Sequence, residues 1–142
     1  MSQIRWMIYW NEYASDTYLY GSEVTFHKRD DVEFKNALMP PGTVIKRWYS
    51  KTSFREQKIE PSLPMIDGES SYRITVKVTG GEHLLFRMVF FDRYEQEAGE
   101  LILRDVVTEF RCPLKTYSYQ IELINAGTTS FHFNSMMIEE LV

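Results

Sequence analysis

Between Ser71 and Thr79 the chain alternates without a break. Tyr72, Ile74, Val76 and Val78 share one parity; Arg73, Thr75 and Lys77 share the other. A period of two marks a strand with one buried and one wet face, and a helix cannot accommodate it. Asp67-Gly68 before the strand is a turn signal, and Gly80-Gly81 after it predicts a tight hairpin into a second strand, Leu84 to Asp92. In that second strand Leu84, Phe86, Met88 and Phe90 share a face. The opposite face holds Leu85, Arg87, Val89 and Phe91, more apolar than a free solvent face should be.

The same reading runs along the rest of the chain. Ile4 to Trp10, Tyr18 to Phe26, Thr43 to Phe54, Leu101 to Val107, Tyr117 to Asn125 and Ser130 to Glu139 are expected strands. Asp30 to Met39 is the one stretch compatible with a short helix, and Glu95 to Glu100 is expected to be a loop. Pro40-Pro41-Gly42 and Ala126-Gly127 punctuate the pattern as turns. In Pro61-Ser62-Leu63-Pro64 the prolines restrict their own φ and that of the residue before them, so the stretch is extended. The fold class is therefore all-β, a β-sandwich or a barrel; uneven strands and varied loop lengths favour the sandwich, expected in jelly-roll-like order, as one domain over residues 1–142.

A chain of 142 residues can bury one sizeable core. Its net charge of −4 argues against a nucleic-acid partner, because a phosphate-binding surface needs clustered Lys and Arg. The densest basic run, Lys46-Arg47 with Lys51 and Arg55, is read as a solvated strand face. The single cysteine, Cys112, allows no internal disulfide and is expected to be a small buried thiol. No apolar run approaches the roughly 20 residues that span a bilayer, and Met1 to Trp6 lacks a signal peptide's apolar core. The expected compartment is the cytoplasm, with peripheral association at the inner face of the membrane left open.

Catalytic signals are missing. His27, His83 and His132 are the only histidines, and no Gly-x-Ser-x-Gly elbow accompanies them. His83 belongs to a solvated turn and His132 to an outer strand face. Glu139 and Glu140 are adjacent on a strand, so they point to opposite sides and read as surface charge. No zinc, EF-hand, P-loop or dinucleotide motif is present, so no cofactor or metal is expected from motifs; a calcium ion held by loop oxygens would leave no such motif. A small esterase or glycosidase is thereby disfavoured.

The remaining signal is aromatic: Trp, Tyr and Phe make up 15% of the residues. Trp48, Tyr49 and Tyr94 are the candidate carbohydrate-binding residues, since an aromatic ring suits the C–H face of a sugar. Core packing is the competing explanation for any one of them. Leu85, Val89 and Phe91 are the candidate partner interface, unless other strands cover that face.

Tyr9-Trp10, Asp16 to Ser22, Gly42 to Ser50 with Trp48, Pro61-Ser62-Leu63-Pro64 and Tyr117 to Gly127 together resemble the third accessory secretory protein of the accessory Sec system. The resemblance covers most of the chain. It implies a non-catalytic β-sandwich similar to a carbohydrate-binding module, from Gram-positive bacteria that export serine-rich repeat glycoprotein adhesins. It implies a cytosolic hetero-oligomer with two larger accessory secretory subunits, one glycosyltransferase-like and one hydrolase-like. That complex would help deliver the adhesin to the motor ATPase of the accessory Sec system. No catalytic residue is carried over. A free-standing carbohydrate-binding module is the alternative reading.

Overall fold

The computed structural model describes residues 4–10, 17–50, 63–80 and 82–141. Among the described residues, ten strands form two antiparallel sheets. They are β1 (Arg5–Ile8), β2 (Glu23–Lys28), β3 (Asp31–Lys35), β4 (Val44–Tyr49), β5 (Ser71–Thr79), β6 (Leu84–Phe91), β7 (Glu97–Leu103), β8 (Val107–Arg111), β9 (Ser118–Asn125) and β10 (Ser130–Glu140). One sheet runs β2-β3-β10-β5-β8, with β1 also paired to β10; the other runs β4-β9-β6-β7. Successive strands share a sheet only in the runs β1, β2, β3 and β6, β7. Every other connection changes sheet, which is the interleaving that the jelly-roll expectation describes.

The alternation read from the sequence decides what is buried. Tyr72, Ile74 and Val76 of β5 face the interior beside Phe131, Phe133, Met136 and Ile138 of β10. Ile121 and Leu123 of β9 and Met88 of β6 close the core from the other sheet. Rings bridge the two layers: Trp48 lies 5.2 Å from Phe133, and Phe90 lies 6.0 Å from Phe110. Such contacts add directional preference to the apolar burial that holds a sandwich together.

Five local expectations are corrected. Asp31–Lys35 is a strand and not a helix, because Val32 and Phe34 alternate inward with period two against Phe133 and Phe131. β7 begins inside the expected loop, and the expected strand Leu101 to Val107 is split: β7 ends at Leu103 and β8 starts at Val107 in the other sheet. β5 and β6 do not form a hairpin. Their connection crosses between sheets, since each strand's edges are taken by other partners; Gly81 itself, like 51–62 with Pro61 and Ser62, lies outside the described residues. β2 starts only at Glu23, the preceding Thr17 making an isolated bridge to Lys46.

Two charged residues are also corrected. Lys46 shares the parity of Trp48 and is 1% exposed, its Nζ 5.2 Å from the Trp10 ring centroid and 5.5 Å from that of Trp48. A bulge at Ile45 turns Val44 outward while Lys46 points in. Glu139 is buried as well, held between Arg5 at 3.3 Å and Arg73 at 3.8 Å from neighbouring strands.

Candidate functional site

The site grows from two turns at one end of the sandwich. After β6, the Asp92 carboxylate accepts the N–H groups of Tyr94 (2.8 Å) and Gln96 (3.0 Å) through Oδ1, a side-chain-closed turn that aspartate favours. Glu95 completes it with a φ of +61°. After β8, the segment Cys112–Tyr117 is anchored at both ends. The Cys112 N–H donates to the Ser70 carbonyl at 2.9 Å, and the Tyr117 N–H donates to the Phe91 carbonyl at 2.7 Å.

Two glycines make room for that segment. A Cβ on Gly68 would stand 2.4 Å from the Leu114 carbonyl oxygen, and one on Gly99 would stand 3.0 Å from Pro113 Cγ. The turn before β5 and the inner face of β7 therefore clasp Pro113-Leu114 between them. The result is an open cleft of about 440 Å³ lined by Asp92, Arg93, Tyr94 and by Leu114 to Tyr117. Tyr94 is 76% exposed and Tyr117 50% exposed, with Leu114 exposed between them. Arg93 and Lys115 supply the positive charge, while the Asp92 carboxylate is engaged by its own turn.

Chemically the cleft offers rings, an apolar patch and cations. It contains no histidine, and the nearest thiol is buried: desolvation pushes Cys112 up, which keeps it in the protonated, unreactive form. Burial likewise pushes the Tyr119 phenol up, and its hydroxyl donates to the Pro64 carbonyl at 2.6 Å. Among the described residues, no group of three His, Cys, Asp or Glu side chains is placed to hold a metal ion.

The structure scatters the residues singled out from sequence. Tyr94 is a wall of the cleft. Tyr49 is half-buried on the outer face of β4, across from Gln120 of β9, and does not line it. Trp48 is 0% exposed, and its indole N–H donates to the Tyr9 carbonyl at 3.0 Å. As a sugar platform Trp48 is a correction, because a ring enclosed on both faces has none to offer. In the partner set, Leu85 and Phe91 are half-buried on the outer face of β6, whereas Val89 is only 3% exposed and presents almost nothing. Tyr117 opens an expected strand and Leu114 precedes it, so no motif marks either as a site residue. Their only sequence signal is the Cys112-Pro113 break before them.

A second polar cluster lies on the outer face of the larger sheet. His27 Nε2 is 3.0 Å from Glu33 Oε1, and His132 Nδ1 is 2.8 Å from Asp31 Oδ1. The hydrogen bond from His27 is the main reason that the Glu33 carboxyl is held below its ordinary value.

Fold and cleft together define a small antiparallel β-sandwich carrying an open aromatic surface site. Comparison with known proteins narrows this to one family. Residues 17–140 match the family described as Accessory Sec secretory system ASP3, and the chain belongs to it. An accessory Sec system protein of that family from Streptococcus gordonii is 35% identical over 146 residues, covering 95% of this chain and 92% of the relative. A Staphylococcus aureus relative is 29% identical over 134 residues, and there the chain spans only 42% of the relative's length. Among solved structures, a chain of accessory secretory protein 1, 2 and 3 from Streptococcus pneumoniae superposes with a TM-score of 0.87 at 26% identity, covering 95% of each chain. A chain of the Glycosylation Associate Protein (Gap123) complex from Streptococcus agalactiae gives 0.88 at 28% identity, covering 98% of this chain and 45% of that one.

Proposed function

We propose that this chain is a non-catalytic subunit of an accessory Sec complex with two larger accessory secretory proteins, and that it supports export of serine-rich glycoprotein adhesins toward the system's motor ATPase. The observation that carries the reading is the match of residues 17–140 to the family, joined to the near full-length superposition on a chain crystallised with accessory secretory proteins. Leu85 and Phe91 on the outer face of β6 are the proposed partner contacts. The work is done in the cytoplasm. Tagged chain drawn from native cytosol should bring down two larger accessory secretory subunits. Recovery of the chain alone would overturn the proposal.

A second reading is favoured by the exposure of Tyr94 and Tyr117: the cleft itself binds glycan, on the adhesin or as a free-standing carbohydrate-binding module. Two rings flanking an apolar patch suit a sugar's C–H face. Titration calorimetry with millimolar N-acetylglucosamine should give saturable heat that Tyr94→Ala abolishes. A flat titration of the folded chain counts against glycan binding without touching the complex.

A further inference from the structure

We infer that Leu19, Tyr20 and Leu38 form a rigid apolar knob that seats in an uncharged hollow on one of the two larger accessory secretory subunits, a role that rests on the complex proposed above. Tyr20 and Leu38 are each 77% exposed, and Leu19 is exposed beside Tyr20. Clustered exposed apolar side chains mark interaction surfaces, whereas scattered ones are ordinary.

Asn36 holds the knob in place. It is buried, and its Nδ2 donates to the Tyr20 carbonyl at 2.8 Å and to Ser22 Oγ at 2.9 Å, while its Oδ1 accepts the Leu38 N–H at 2.9 Å. The Ser22 hydroxyl in turn donates to the Tyr18 carbonyl at 2.6 Å, and the Ser22 N–H donates to the Leu19 carbonyl at 3.1 Å. Gly21, with a φ of +72°, is the left-handed residue that closes this turn, and Leu38 Cδ1 comes within 3.8 Å of where its Cβ would stand. One buried amide thus clamps two separate turns, and their backbone is fixed before any partner arrives. A preorganised surface loses little freedom on binding, and tyrosine is enriched where interfaces gain most.

The surroundings of the knob are uncharged. Residues 17–22, 36–45 and 123–131 contain no Asp, Glu, Lys or Arg, in a chain of which these make up 25%. The three segments meet here: the Asn36 N–H donates to the Thr129 carbonyl at 2.8 Å, and the Asn125 side-chain amide donates to the carbonyls of Met39 and Pro40. Charge begins at the rim, with Glu23 and Lys35 paired in register, and with Glu82 beside His83, whose carbonyl accepts the Ala126 N–H. Depletion of charge around aromatic and apolar anchors is the mark of an interface core.

Three relationships select the occupant. From Leu38 the chain runs through residues 39–43 into Val44, which the bulge turns outward opposite Ile124, and Ile124 pairs in turn with Leu85. Val44, Ile124 and Leu85 are all half-buried, so the knob is continuous with the partner contact already proposed at Leu85. A bilayer surface is a poor match, because interfacial binding draws on Lys and Arg and these segments have none. A second copy is a poor match as well. The cleft carries Arg93 and Lys115 and opens at the end of β9 and β6 where Ser118 pairs with Phe91, whereas the knob stands at the end where Asn125 pairs with Leu84.

The test titrates the 142-residue chain calorimetrically into the two larger accessory secretory subunits. Tyr20→Asp and Leu38→Asp replace exposed side chains, so each should keep the wild-type circular dichroism and melting temperature yet weaken assembly about tenfold or more. Tyr20→Ala and Leu38→Ala carry the same comparison if a charged variant does not fold. Val107→Asp, a charge at an exposed apolar position of β8, should assemble as the wild type does. Wild-type affinity in folded Tyr20→Asp and Leu38→Asp would overturn the inference and leave the complex standing. No assembly by the wild type would remove the complex and the knob's role together. A dimer of the isolated chain, or its sedimentation with phosphatidylcholine vesicles, that either substitution abolishes would assign the knob to another occupant and overturn the inference as well.

Discussion

Glu122 and Glu139 hold equivalent places on the two outer sheet faces. Each is 5% exposed, and each lies between two arginines from the strands beside it. Glu122 meets Arg47 at 3.0 Å and Arg87 at 3.6 Å; Glu139 meets Arg5 at 3.3 Å and Arg73 at 3.8 Å. Each row then reaches another acid, Glu100 beside Arg87 and Glu109 beside Arg73. The outer faces are therefore laced by charge across strands, which is how a sheet face can be closed without a second apolar layer.

Glu122→Gln and Glu139→Gln should each cost about 1–3 kcal/mol, because two arginines lose their shared anion while the site stays covered. Urea unfolding of the two variants measures this. A change below about 0.5 kcal/mol in both would show that the rows contribute no more than exposed surface pairs.

Gly68→Ala should destabilise the chain by about 1–3 kcal/mol and displace the Leu114 segment, since the added methyl meets backbone and not a movable side chain. Thermal unfolding reports the first effect. Chemical-shift changes at Tyr94 and Tyr117 report the second, and unaltered shifts there would contradict the clasp described for the cleft.

Trp48→Ala and Tyr94→Ala should separate core from surface. The first removes a fully buried ring and should cost about 3–5 kcal/mol. The second removes an exposed ring and should stay within about 0.5 kcal/mol. Equal losses in the two variants would place Tyr94 in a packing role.

Phe91→Asp should leave the fold intact and weaken assembly with the larger accessory subunits about tenfold, the scale of an interface residue worth more than 1 kcal/mol. Val89→Asp is a poor probe of the same face, because it buries a charge and should unfold the chain first. Full assembly by a folded Phe91→Asp variant would remove the β6 outer face from the interface.

Cys112 should resist thiol reagents in the native chain and react fully in urea. Burial raises the thiol, so the folded state disfavours the thiolate. The sign follows: stability falls as pH rises from the unfolded thiol's value, about 8.5, toward the folded one. Cys112→Ala should flatten that alkaline limb, and an unchanged limb would assign it to other groups.

The Asp31–Lys35 and Lys46 cases show where sequence reading failed. Val32 and Phe34 alternate, but over too short a stretch to outweigh the charged residues around them. Lys46 carries the parity of Trp48, yet lysine's charge argued for solvent more strongly than parity argued for the core. In the cleft, Tyr94 was legible as an aromatic in a turn. Tyr117 was not, because nothing local says that the end of β6 and the segment after β8 will meet.

By itself the sequence determined the all-β class, most strand positions and which parity of β5, β6, β9 and β10 is buried. Those follow from period-two alternation and turn chemistry, both of which act over a few residues. Only the tertiary structure decided which strands pair, that β5 and β6 part into different sheets, that Trp48 is enclosed while Tyr94 is open, and that Glu122 and Glu139 find their arginines. These are contacts between residues far apart in the chain, and they are set by how the two sheets pack, which no local pattern encodes.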